Sequence, residues 1–143
     1  MEGRTTTASL VDTLAQTALF ADLSRPELEA VAHEFEEEAF APGQRALRQG
    51  LAGSGLYVIL DGSAAVMRDD QPIAHLGRGD FFGEISVLTE YVPTADIAAV
   101  TLLRCLVVPR PDVERFLLEH PRVMLRMLRI EANRLRGMLE DLA

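Results

Sequence analysis

The chain has one cysteine, three histidines and no long apolar run, and each scarcity excludes something. A single cysteine, Cys105, rules out an internal disulfide framework and suits a reducing compartment. It lies in an apolar run, where a small buried thiol is the usual occupant and a reactive one is not expected. His33, His75 and His120 stand far apart without ligand spacing, so neither a metal site nor metal-dependent catalysis is expected. The apolar runs Leu56 to Leu60 and Leu102 to Val108 (broken by Arg104) are strand-length, far short of the roughly 20 residues of a membrane span. Basic residues are outnumbered 14 to 22, giving a net charge of −8. A surface that replaces counterions on a phosphate backbone must be basic, so the chain by itself is not expected to bind nucleic acid. Met1 to Ser9 is polar and Thr-rich, without a basic segment followed by an apolar one, which predicts no secretory leader and a cytoplasmic location.

What is present is one domain's worth of sequence, 143 residues, nearly half hydrophobic and free of low-complexity tracts. Residues 8–39 have helical spacing. Leu10, Leu14 and Ala18 recur at four, and a second helix opens at Ser24 with Pro26 in its first turn and Glu27 behind it. Leu28, Val31, Ala32 and Phe35 form its apolar face. The acidic run Glu34, Glu36, Glu37, Glu38 reads as a solvated face leading into a strand, since no second carboxylate cluster converges on it.

Residues 40–108 read as short strands separated by turns. Pro42-Gly43 marks a turn, and Gly50, Gly53 and Gly55 make a loop before the strand Leu56–Leu60. Asp61-Gly62 predicts a hairpin turn into Ser63–Met67, and Asp69-Asp70-Gln71-Pro72 turns the chain into Ile73–Leu76. Further strands are predicted over Ala95–Val100 and Leu102–Val108. Many short strands with glycine turns argue for an antiparallel sandwich or roll. Residues 109–143 return to helical spacing. Pro109 and Pro111 stop the last strand and start a short helix to about Glu119, and Pro121 starts a longer one. In that helix Leu125, Leu128, Ala132, Leu135, Leu139 and Leu142 keep an a/d heptad pattern flanked by Arg122, Arg126, Arg129, Arg134 and Arg136. This stripe predicts a homodimer through the C-terminal helix.

The segment Gly79-Asp80-Phe81-Phe82-Gly83-Glu84-Ile85 carries the chemistry. A glycine before a short helix presents backbone N–H groups to an anion, and Ile85, Ser86 and Val87 supply those of the first turn. Glu84 would repel a phosphate but suits a neighbouring hydroxyl, such as that of a ribose.

The order of motifs resembles the cyclic-nucleotide-binding domain family, of the catabolite activator protein and protein kinase A regulatory-subunit type, over nearly the whole chain. Leu19-Phe20-Ala21-Asp22-Leu23-Ser24, Phe40-Ala41-Pro42-Gly43-Gln44, Gln49-Gly50, Leu56–Gly62, Phe82–Leu88 and Val108-Pro109-Arg110 with Phe116-Leu117-Leu118 and His120-Pro121 occur in the family's order. The resemblance implies a mainly β fold with flanking helices (α+β): an antiparallel β-roll or jelly roll, N-terminal helices and a C-terminal helix pair, as one domain over 1–143. It also implies a non-catalytic, ligand-sensing regulatory domain whose cassette is Phe82, Gly83, Glu84, Ile85, Ser86, Thr94 and Ala95, with cyclic AMP (cAMP) or cyclic GMP (cGMP) as the family's ligand and no other cofactor.

The family's cassette ends in Arg-Thr/Ser-Ala, its arginine gripping the cyclic phosphate. Here Thr94 and Ala95 match, and Pro93 stands in the arginine's place. A lost charge-assisted, potentially bidentate partner costs about 2–5 kcal/mol, so cAMP or cGMP binding is expected to be weakened or altered. Three outcomes remain open: another arginine substitutes, with Arg48, Arg78 and Arg104 as candidates; a different small ligand uses Glu84; or the pocket is vestigial, leaving a ligand-free dimerisation and docking module. Transcription regulators of the family carry a helix-turn-helix after the long helix. This chain stops within the heptads, so it would signal through an unidentified output protein or belong to a longer one.

Overall fold

The structure, a computed structural model, describes residues 7–50 and 55–142; Gly53 of the expected glycine loop lies outside them. The chain forms two compact units, one of residues 33–114 and one joining the stretch before residue 33 to the stretch after 114.

The first unit is the roll. Its strands are β1 (Glu36–Phe40), β2 (Arg45–Leu47), β3 (Gly55–Asp61), β4 (Ala64–Arg68), β5 (Gln71–Leu76), β6 (Phe81–Phe82), β7 (Asp96–Ala99) and β8 (Leu103–Pro109). They form two antiparallel four-stranded sheets, ordered β1-β8-β3-β6 and β2-β7-β4-β5. Phe40, Leu47, Tyr57, Ile59, Ile97, Leu103 and Val107 fill the space they enclose. The predicted antiparallel roll with flanking helices is the observed fold.

Two turns show how local sequence and tertiary context divide the work. At Asp69-Asp70 both residues have positive φ, 51° and 66°, and Arg68 pairs with Gln71. This is the primed two-residue turn that matches strand twist, so the predicted reversal here is a true hairpin. The predicted hairpin at Asp61-Gly62 is not one. β3 and β4 belong to different sheets, and the chain crosses from one to the other at Gly62. The crossing is held by long-range bonds, Ser63 N–H to Thr101 Oγ1 at 3.0 Å and Val100 N–H to the Ser63 carbonyl at 2.9 Å. A Cβ at Gly62 would sit 2.1 Å from the Leu102 carbonyl oxygen, which is why glycine stands there.

The second unit contains α1 (Thr7–Ala15), a 3-10 turn (Ala18–Phe20), α2 (Arg25–Ala32), most of α4 (Val113–Glu119) and α5 (Pro121–Asp141). The short helix labelled α3 (Glu84–Thr89) belongs to the roll. Helical spacing does not run through to Ala18: Thr17 has extended backbone, and its buried hydroxyl donates to the Thr13 carbonyl at 3.0 Å, closing α1. Similarly, Phe35 falls beyond the end of α2. The start of α2 is as predicted. Ser24 N–H donates to Glu27 Oε1 at 2.8 Å while Glu27 N–H donates to Ser24 Oγ at 3.4 Å, a reciprocal capping box. The Ser24 backbone N–H foremost, and the Ser24 hydroxyl next, hold the Glu27 carboxyl below its ordinary value, with Arg122 adding a smaller pull. Arg122 and Arg126 reach back to the Asp22 carbonyl and carboxylate, at 3.0 and 2.8 Å.

One face of α5 buries Val123 and Met127. The heptad residues do not share it: Leu125, Leu128, Leu135, Leu139 and Leu142 are 45–82 % exposed. No helix among the described residues is long and apolar enough to cross a membrane.

Candidate functional site

The cassette is set by its entry and by the glycine that follows it. Gly79 N–H donates to the Ile59 carbonyl, and Ile59 N–H donates to the Asp80 carbonyl, so the turn before β6 is stitched to β3. β6 then pairs Phe82 with Tyr57, and the two rings stack at 4.7 Å with 6° between their planes. Phe82 therefore anchors the cassette in the core.

At Gly83 the chain turns through φ 90°, and a Cβ there would lie 2.2 Å from the Gly55 carbonyl oxygen and 3.2 Å from the Tyr57 ring. Handedness and space both demand glycine. α3 starts at once, with Glu84 in its first turn, where the helix dipole favours an acidic group. Glu84 is only 2 % exposed, an unusual setting for a carboxylate. Ser86 is buried as well, whereas Ile85 faces outward at 61 % exposure.

The far end of the cassette is held by backbone and hydroxyl bonds. Ser86 Oγ donates to the Tyr91 carbonyl at 2.6 Å. Pro93 is buried, and its carbonyl accepts the Gly50 N–H at 2.9 Å. Thr94 is exposed and Ala95 half-buried, leading into β7.

Of the arginines considered as substitutes, Arg104 is engaged with Glu37 Oε2 at 2.6 Å on the β1–β8 pair, and Arg48 and Arg78 are exposed. Among the described residues, Arg110 does touch the cassette. Its guanidinium donates to Ser86 Oγ and to the Ser86 carbonyl, both at 3.3 Å. It also lines a groove of about 560 Å³ with Val87, Leu88, Glu90, Pro111 and Glu114. Nothing in the sequence pairs Arg110 with a serine 24 positions earlier. The only hint was its place directly after the last strand. In the roll core, burial, with a smaller push from Glu38, raises the Cys105 thiol to about 12, which makes it a packing residue and a poor nucleophile.

The sequence profile described as cyclic nucleotide-binding domain matches residues 37–120, more than half of the chain and all of the cassette. The chain belongs to that family.

Solved structures place this cyclic nucleotide-binding domain among regulatory proteins. The catabolite activator protein of Thermus thermophilus superposes with a TM-score of 0.81 at 27% identity, over 88% of this chain and 62% of that one. The regulatory subunit of a cAMP-independent protein kinase A from Trypanosoma brucei gives 0.75 at 26% identity, over 87% of this chain and 46% of the other. That structure is a triple mutant, one change being threonine to arginine, bound to cAMP in the A site. The N-terminal domain of a transcriptional regulator from Streptomyces coelicolor gives 0.70 at 27% identity, over 91% of this chain and 94% of that one. This chain thus spans less than two thirds of the first two proteins. The fold and family support a ligand-sensing, regulatory domain of cyclic nucleotide-binding type.

Proposed function

We propose that the chain, acting as one domain over residues 1–143, senses a small ligand in the roll through Phe82, Gly83, Glu84, Ile85, Ser86, Thr94 and Ala95, and that its grip on cAMP or cGMP is weakened because Pro93 stands where the phosphate-binding arginine is expected. The observation that carries this reading is a carboxylate, Glu84, buried at the start of α3 directly behind a glycine that no other residue can replace. A buried carboxylate at this position suits a hydroxyl donor such as a ribose. In this reading Phe82 supports the site from below by stacking on Tyr57, and Gly83 lets the backbone approach the ligand. The backbone N–H groups of Ile85 and Ser86, in the first turn of α3, would serve the anionic part. The burial of Pro93 supports the second half of the proposal, since a neutral ring fills a place where a charged fork is wanted. The cAMP-bound Trypanosoma mutant, with its introduced arginine, encourages the same view.

The ligand would act as a two-state bias, favouring one setting of the C-terminal helices, read by an output protein, with no catalytic step. The acidic net charge and the single thiol suit a cytoplasmic domain that does not itself hold nucleic acid. The deciding experiment is titration calorimetry with cAMP and cGMP. Saturable heat that Glu84→Ala abolishes is the expected result; no heat from either nucleotide at millimolar concentration removes cyclic nucleotides as ligands.

A second reading has its own observation. The leucines of α5 are exposed in the single chain, and an apolar heptad stripe in water is a helix-pairing surface. If the roll binds nothing, the domain serves as a scaffold that presents this helix for homodimer formation.

A further inference from the structure

The contact between Arg110 and Ser86 joins two places of different purpose. Ser86 lies in α3, at the centre of the cassette, and Arg110 is the first residue after β8, where a 3-10 turn, Arg110–Asp112, leads to α4. α3 is short and ends abruptly, with Glu90 in the left-handed region at φ 62°. Its last carbonyls, from Val87 on, therefore lack partners within a continuing helix, and the Ser86 carbonyl comes directly before them. A cation is favoured at this negative end of a helix. Arg110 supplies that cation, donating to the Ser86 carbonyl from one nitrogen and to the Ser86 hydroxyl from another. That hydroxyl in turn donates to the Tyr91 carbonyl, so one guanidinium secures the helix and the loop that follows it.

We propose that Arg110 is a positioning residue of the cassette: it caps α3 and ties the setting of that helix to the segment 110–114 by which the chain leaves the roll. A shift of α3 then loosens the exit segment, and a change in the exit segment alters α3, because one side chain is shared by both. The planar fork is essential to the device. A lysine carries the charge, but as a point-like ammonium it lacks the planar fork whose separate nitrogens here reach two acceptors. The proposal rests on the ligand-sensing reading only for what α3 is for; the contact and its consequence exist in the free chain.

The test is hydrogen exchange on the ligand-free chain, read by mass spectrometry in peptides covering residues 84–92 and 110–114, for the wild type, Arg110→Met, Arg110→Lys and Ser86→Ala. Arg110→Met is expected to speed exchange in both segments about tenfold, the loss of two bonds from a charged donor. Arg110→Lys is expected to recover about half of the effect on a logarithmic scale. Ser86→Ala, at the opposite end of the contact, is expected to speed exchange at 110–114 about threefold. Wild-type exchange at 84–92 in Arg110→Met overturns the cap, and wild-type exchange at 110–114 in Ser86→Ala overturns the tie. Should Arg110→Met fail to fold, Arg110→Lys and Ser86→Ala decide the matter by the same two readings. Because no nucleotide is added, failure of this proposal and failure of cyclic nucleotide binding are told apart.

Discussion

Pro93 and Gly50 are joined by a 2.9 Å bond, the Gly50 N–H donating to the Pro93 carbonyl, so this tie between the end of the cassette and the turn after β2 is made of backbone. Any residue at position 93 keeps that carbonyl. What proline removes is a backbone donor and a side chain with charge.

Replacement by arginine therefore tests the weakened grip while leaving that carbonyl bond in place. Pro93→Arg is expected to raise affinity for cAMP at least tenfold, about 1.4 kcal/mol, the lower part of what a desolvated, charge-assisted phosphate contact supplies. Calorimetry on the folded variant measures it. Unchanged affinity in a variant with native circular dichroism places the difference from nucleotide-binding relatives elsewhere in the pocket.

The parts of this fold that could be read from sequence are those whose cause is local. Ser24, Pro26 and Glu27 announced the start of α2 because a capping box is complete within four residues. The reversal at Asp69-Asp70 was visible for the same reason. Asp61-Gly62 misled because its fate is decided by Leu102 and Thr101, some 40 residues on, which pull the chain into the other sheet. The strand β1 was hidden in the acidic run Glu36–Glu38, whose charges suit an edge where only Phe40 is buried. At the site, Gly83 and Glu84 were legible as a motif. The burial of Pro93 and the reach of Arg110 to Ser86 are facts of packing that no spacing encodes.

Glu90 offers a stability test of the cassette's closing turn. It adopts φ 62° and ψ 20°, a left-handed conformation that costs a residue with a Cβ about 1–2 kcal/mol and glycine almost nothing. After subtracting the extra freedom glycine gains in the unfolded chain, Glu90→Gly is expected to stabilise by about 0.5–1 kcal/mol. Urea unfolding should show a higher midpoint at an unchanged slope. A lower midpoint would mean that the Glu90 side chain contributes more than its backbone strain costs.

The leucine stripe of α5 gives the homodimer reading a clean test, because its residues are exposed in the single chain. Leu128 and Leu135 are 65% and 55% exposed, so charged replacements there cost the isolated fold within about 0.5 kcal/mol. In a dimer the same replacements bury charge in a seam where a and d positions must be apolar. Leu128→Glu combined with Leu135→Glu is therefore expected to convert a dimer, seen by sedimentation equilibrium, into a monomer with native circular dichroism. The thermal midpoint of the wild type should rise with protein concentration, as mass action requires of a dimer that dissociates on unfolding, and that of the double variant should not. A wild-type chain that sediments as a monomer at every concentration would remove the α5 stripe as a self-pairing surface and leave it to a different partner.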